Sequence, residues 1–171
     1  EYYNQQYNMK NAIFRLPPVY GVGPHGSLLI NGKKVKSGLQ IFIDKALKGE
    51  DIEVYGDKEV ARDVVYVKDV ASALMQGIGS KRTYGLYNIG SGRATTLEEQ
   101  AKVVAEVFGS SKQKSHVVFK PEIENKSFSY NLDISKAKID FNYSPKFDDF
   151  KKMMIDWKYE LERGVYSDLF V

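Results

Sequence analysis

Residues 51–71 read Asp51-Ile52-Glu53-Val54-Tyr55-Gly56-Asp57-Lys58-Glu59-Val60-Ala61-Arg62-Asp63-Val64-Val65-Tyr66-Val67-Lys68-Asp69-Val70-Ala71. Two short runs rich in β-branched and aromatic residues, 51–55 and 63–67, lie on either side of a Gly-Asp turn and predict strands. Val54 and Tyr55 stand on the first arm of that hairpin. Asp69 predicts the N-cap of a helix over 69–78, since its carboxylate can accept a free N–H of the first turn. Upstream, apolar residues at 39, 43, 46 and 47 share one helical face closed by Gly49. Asn31-Gly32 between short apolar runs is a two-residue hairpin signal. Val19 to Gly26 reads as a loop. Ala12-Ile13-Phe14-Arg15-Leu16 reads as a strand stopped by Pro17-Pro18, and residues 1–10 as the end of a helix. Downstream come a strand at 85–89 and a capping box, Thr96-Leu97-Glu98-Glu99, opening a helix to Phe108. A strand at 117–120 follows, then helices at 134–140 and 148–163 separated by Pro145. Strands and helices alternate, which is the pattern of an α/β fold.

The chain has 171 residues, a net charge of +3 and no cysteine. A thiol nucleophile, a disulfide scaffold and a Cys-ligated metal are therefore excluded. The weakly basic balance has no Lys/Arg tract and gives no electrostatic case for nucleic acid. No apolar run approaches the ~20 residues that span a bilayer, and no signal peptide is evident; neither a membrane nor secretion is expected, and a cytoplasmic location is.

Several motifs are set aside. Gly21-Val22-Gly23-Pro24-His25-Gly26 matches G-x-G-x-x-G, but Asn31-Gly32 breaks the chain where a pyrophosphate-binding helix should run, and Pro24 lacks an N–H. It reads as a structural loop. His25 and His116 have no metal-ligand spacing, so no metal is expected. Asp148-Asp149 reads as dipole complementation at the first turn of the last helix. Met153-Met154-Ile155 and Trp157 read as core.

Four segments in order carry a resemblance. They are Arg15-Leu16-Pro17-Pro18-Val19-Tyr20-Gly21-Val22-Gly23-Pro24; the run from Phe42-Ile43 through Val54-Tyr55-Gly56-Asp57 and Arg62-Asp63 to Asp69-Val70-Ala71; Tyr87-Asn88-Ile89-Gly90-Ser91-Gly92; and Leu132-Asp133-Ile134-Ser135-Lys136-Ala137-Lys138. This series resembles the C-terminal half of the NAD-dependent epimerase/dehydratase family. These are extended short-chain dehydrogenases that act mostly on nucleotide sugars, and UDP-glucose 4-epimerase-like isomerases are among them. The resemblance implies an α/β substrate-binding lobe with a remnant of the Rossmann sheet at the N-terminus and no complete Rossmann domain. Residues 1–26 would be the remnant of the dinucleotide-binding domain and 27–171 the substrate domain. Glu1 resembles the Glu just after the family's catalytic Lys. The Tyr-x-x-x-Lys pair and the glycine-rich cofactor loop would then lie upstream, leaving no catalytic residue in this chain. NAD or NADP is expected in the intact enzyme and none on this chain alone.

The resemblance also assigns roles. Arg62 would reach the substrate's diphosphate, for which a guanidinium offers paired donors and a permanent charge; its competing reading is a surface pair with Asp63 or Glu59. Asp63 would order the turn. Val54 and Tyr55 would flank the base. Leu16 and Pro17 would border the nicotinamide, and Pro18 the sugar, at the carboxyl end of a strand. Pro18 stands where many nucleotide-sugar enzymes carry Asn, and it cannot donate that side chain's hydrogen bond. Asn88 would lie near the substrate lobe, with backbone capping as its simpler role. Pro121 to Ser127 has no Arg where many relatives place a second phosphate clamp, and Lys126 offers a point charge instead. A rival from another class is a free-standing ligand-binding or interaction module that has lost its catalytic half. A third reading, an enzyme acting on a sterol-like or flavonoid-like ketone, gives Arg62 no purpose. Ile13, Phe14 and Leu16 would be exposed on the sheet remnant, so self-association is expected.

Overall fold

The computed structural model describes residues 2–23, 26–110, 113–164 and 166–167. Glu1, Pro24 and His25, on which parts of the sequence reading fall, lie outside them. The element order is α1 (Tyr2–Tyr7), β1 (Ala12–Arg15), β2 (Val19–Tyr20), β3 (Ser27–Ile30), β4 (Lys33–Lys36), α2 (Gly38–Lys48), β5 (Ile52–Tyr55), β6 (Ala61–Asp63), β7 (Val65–Tyr66), α3 (Val67–Gly79), β8 (Gly85–Asn88), β9 (Ala94–Thr96), α4 (Leu97–Phe108), β10 (Val117–Lys120), α5 (Ser135–Phe141) and α6 (Phe150–Arg163). The chain divides into two compact units. The first holds Glu1–Tyr20, Arg62–Ala94 and Tyr130–Asp149; the second holds Gly21–Ala61, Thr95–Ser129 and Phe150–Val171.

In the first unit β1 and β8 run parallel, with Ala12 opposite Gly85 and Arg15 opposite Asn88. Parallel neighbours need a crossover, and α3 lies within the connection between them. The core gathers Val65, Ala73, Tyr87, Ile89, Ile134, Ala137, Phe141 and Tyr143, with Phe14 packed against it. Phe14 stacks on Phe141 at 5.7 Å and meets Tyr87 edge-on at 6.0 Å. The expectation that Phe14 would be exposed is thus corrected, because its ring completes the aromatic cluster. Ile13 is 56% exposed and Leu16 41%. The expected loop at 19–26 begins with a two-residue strand, β2, which pairs in parallel with β7.

In the second unit α4 packs against α2 and α6. The buried faces are Leu39, Ile43 and Ala46; Ala101, Val104 and Phe108; and Phe150, Met153, Met154 and Trp157. Ile155 departs from the expected core stripe and is 53% exposed, since α6 turns it away from the face that buries Met153 and Trp157. β3 and β4 form the expected hairpin, with Asn31 and Gly32 both at positive φ (50° and 75°), as a two-residue turn of this hand requires. Ser37 Oγ accepts from Gln40 N–H at the start of α2, and Gly49 ends it at φ 69°. Thr96 Oγ1 accepts from Glu99 N–H at the start of α4.

Three local expectations are corrected. β5 is not an arm of a hairpin; it pairs in parallel with β10, Ile52 opposite Val117 and Tyr55 opposite Lys120. The β10 edge supplies hydrogen bonds that a tight turn would have supplied locally. Asp69 does not cap α3. Tyr66 holds the N-cap position, and the Asp69 carboxylate accepts the N–H groups of Lys146 and Phe147 at 2.8 and 2.9 Å. Two backbone donors from a distant loop replace those of its own helix, and burial raises its pKa above the ordinary aspartate value. Asp148 and Asp149 precede α6, and Asp149 pairs with Arg93 at 3.1 Å. Among the described residues no helix is long and apolar enough to cross a membrane.

Candidate functional site

Ligands of parallel α/β sheets bind beyond the carboxyl ends of the strands. In the first unit that end of the β1–β8 pair presents Leu16, Pro17 and Pro18 from one strand and Asn88 from the other, because Arg15 and Asn88 are register partners. Pro17 is buried, whereas Leu16 and Pro18 are exposed. The Pro18 carbonyl accepts Val65 N–H at 3.1 Å, which ties the strand end to the segment carrying Arg62. Leu16, Pro17, Pro18, Arg62 and Asn88 all belong to the first unit. Val54 and Tyr55 belong to the second unit. There the Val54 side chain is in the core and Tyr55 is exposed, alternating as strand neighbours must. Asn125 Nδ2 donates to the Tyr55 carbonyl at 3.2 Å, so the loop before Tyr130 is fastened to β5.

Arg62 is half-buried and lies opposite Tyr130 in a parallel β-bridge. Its Nε is buried and finds no partner among the described residues. The competing surface pairs do not form. Glu59 pairs with Lys58 at 3.5 Å, and the Asp63 carboxylate is taken by Ser91, Gly92 and Leu132. Asp63 reaches partners 28 to 69 residues away, beyond the turn that the sequence reading gives it to order. Two phenols share the electrostatic neighbourhood of Arg62. Burial pushes the Tyr20 phenol up to about 12, against the opposing pull of the Arg62 charge. Burial raises Tyr130 as well, again against Arg62. Arg62 thus has no carboxylate bonded to it among the described residues and stands in a partly desolvated, aromatic setting. Such a setting strengthens attraction to an anion.

Asn88 Nδ2 donates to the Asp133 carbonyl at 3.0 Å, while its Oδ1 is buried and has no partner among the described residues. Asp133 accepts Ser135 N–H at 2.9 Å and so shapes the entry to α5. Asn88 therefore caps backbone with one end of its amide and leaves the other unmatched.

Sequence reasoning did not single out Tyr130 or the bond set of Asp63. Tyr130 lies three residues before Asp133, and its β-bridge to Arg62 marks it. The glycine run at 21–26 leads into strand β3, not a helix. The described residues thus provide no helix N-terminus there to hold a pyrophosphate.

The sequence matches the model of the NAD dependent epimerase/dehydratase family over residues 1–90. A Methanocaldococcus jannaschii protein assigned as a UDP-glucose 4-epimerase is 30% identical over 159 residues, which are 91% of this chain and 48% of that protein. The structure is similar to that of UDP-glucose 4-epimerase from Thermotoga maritima with UDP-glucose (TM-score 0.70, 27% identity, 95% of this chain and 49% of that one). It is also similar to the Bordetella bronchiseptica enzyme WbmF in complex with NADH (TM-score 0.64, 26% identity, 98% and 53%). The chain spans about half the length of the relatives it matches. With the α/β architecture and the ordered motifs around Arg62 and Asn88, the match over residues 1–90 shows that this chain belongs to the NAD-dependent epimerase/dehydratase family.

Proposed function

We propose that the chain is the substrate-binding part of an NAD-dependent nucleotide-sugar epimerase or dehydratase about twice its length. Residues 1–26 complete the dinucleotide-binding domain and 27–171 form the substrate domain. The observation that carries this reading is Arg62: a guanidinium with no carboxylate partner among the described residues, on a segment hydrogen-bonded to a sheet's carboxyl end. A diphosphate supplies the anion that such a group lacks. UDP-glucose, present in the Thermotoga structure, is the natural probe.

In this reading Arg62 holds the diphosphate, and Pro18 lines the sugar subsite without donating to it. Asn88 holds the Asp133 carbonyl and so fixes the segment leading into α5. Leu16 and Pro17 form the wall against the nicotinamide and keep water from it. NAD, when bound in the intact enzyme, supplies the hydride acceptor. The family's Tyr-x-x-x-Lys pair and glycine-rich loop are assigned to the other half, so this chain alone is inactive.

The test is Arg62→Ala in the intact enzyme. A charge-assisted bond to phosphate contributes about 1.5–3 kcal/mol, and 1.4 kcal/mol is tenfold. UDP-glucose affinity should fall about ten- to a hundredfold, with NAD affinity unchanged. Arg62→Lys should recover part of the loss, keeping the charge without the fork. Unchanged UDP-glucose affinity in Arg62→Ala would end the phosphate assignment.

A further inference from the structure

We propose that Asp63 is a positioning residue for Arg62, a role that rests on the phosphate reading above. With no carboxylate to anchor it among the described residues, the Arg62 guanidinium takes its direction from the backbone beneath it. Adjacent strand residues point to opposite faces. Asp63 therefore points away from the Arg62 side chain and fixes the shared backbone from behind.

The geometry is specific. Asp63 is fully buried. One carboxylate oxygen accepts the Ser91 N–H at 2.9 Å and the Ser91 hydroxyl at 2.7 Å. The other accepts the N–H groups of Gly92 and Leu132 at 3.4 and 3.3 Å. The Asp63 N–H in turn donates to the Tyr130 carbonyl at 3.0 Å. Main chain and side chain of one residue therefore hold the segment 130–132, whose Tyr130 stands opposite Arg62. The loop at 90–92 approaches so closely that a Cβ at Gly90 would collide with an Asp63 carboxylate oxygen. Four donors converge on one carboxylate, and an amide cannot serve them all. In Asp63→Asn the new NH2 group faces either the Ser91 pair or the Gly92/Leu132 pair, donor against donor.

The experiment is a double-mutant cycle in the intact enzyme, with UDP-glucose affinity measured below the melting temperature of the least stable variant. Asp63→Asn should weaken UDP-glucose binding about tenfold, as coupled members of one hydrogen-bond network do, and leave NAD affinity unchanged. On top of Arg62→Ala, the same change should cost no further affinity. Wild-type affinity in folded Asp63→Asn overturns the proposal, as does an equal loss in both backgrounds. Unchanged affinity in Arg62→Ala alone overturns the phosphate reading and this proposal with it, which separates the two failures. If Asp63→Asn does not fold, Ser91→Ala removes the hydroxyl's bond to Asp63, together with its bonds to the Arg93 backbone, and leaves the Asp63 carboxylate in place. It should weaken binding about threefold with Arg62 present and not at all in its absence; an unchanged affinity with Arg62 present overturns the proposal.

Discussion

Gly77→Ala places a methyl group inside α3 where helix propensity and packing oppose each other. Alanine is favoured over glycine in a helix by about 1 kcal/mol. A Cβ at Gly77, however, would lie 2.8 Å from Cζ of Phe14. That ring is stacked on Phe141 and meets Tyr87 edge-on, so it cannot swing aside without loosening both aromatic contacts. Overpacking of this kind costs about 1–3 kcal/mol. The net expectation is a loss of about 0–2 kcal/mol. Gly79→Ala is the control: nothing lies within 4 Å of its Cβ position, so it should be neutral or more stable by up to about 1 kcal/mol. Phe14→Leu removes Cζ, and in that background Gly77→Ala should become stabilising. Urea unfolding of the four variants, followed by circular dichroism at fixed protein concentration, gives the comparison. If Gly77→Ala stabilises the wild-type chain as much as Gly79→Ala does, the Phe14 ring is not held as described and the reasoning fails.

Asp69→Asn should alter the pH dependence of stability. Burial raises the folded pKa of Asp69 above 3.8, so the folded state binds the proton more tightly. The wild-type advantage over Asp69→Asn should therefore be greatest below pH 3.8 and shrink as pH rises through the folded pKa; a gap that widens with pH in urea melts would contradict this. The chain alone should self-associate through the first unit, where Ile13, Leu74, Met75 and Ile78 are exposed, Ile78 at 81%. Light scattering should show mass rising with concentration, and Ile78→Lys should reduce it; a monodisperse wild-type monomer would count against this. Calorimetric titration of the chain with NAD should give no measurable binding, and a low-micromolar dissociation constant would refute the placement of the cofactor loop in the other half.

The sequence by itself determined the elements whose causes are local. Gly49 and Thr96 mark helix ends because caps act within one turn. Asn31-Gly32 marks a hairpin because few residues accept positive φ in succession. The order of the motifs around Arg62 and Asn88 was enough to identify the family resemblance. Tertiary structure alone decided what depends on partners distant in the chain. The carboxylate of Asp69 serves Lys146 and Phe147, 77 and 78 residues on. β5 pairs with β10 because a sheet's hydrogen bonds run between strands and leave no trace at a fixed spacing. Phe14 is half-buried because Phe141 arrives from α5. Arg62 is free of the surface pairs its neighbours suggested because Asp63 is claimed by Ser91, Gly92 and Leu132, residues 28 to 69 positions away. A pattern of residue types carries short-range preferences; which buried polar groups satisfy one another is settled only when the chain has closed on itself.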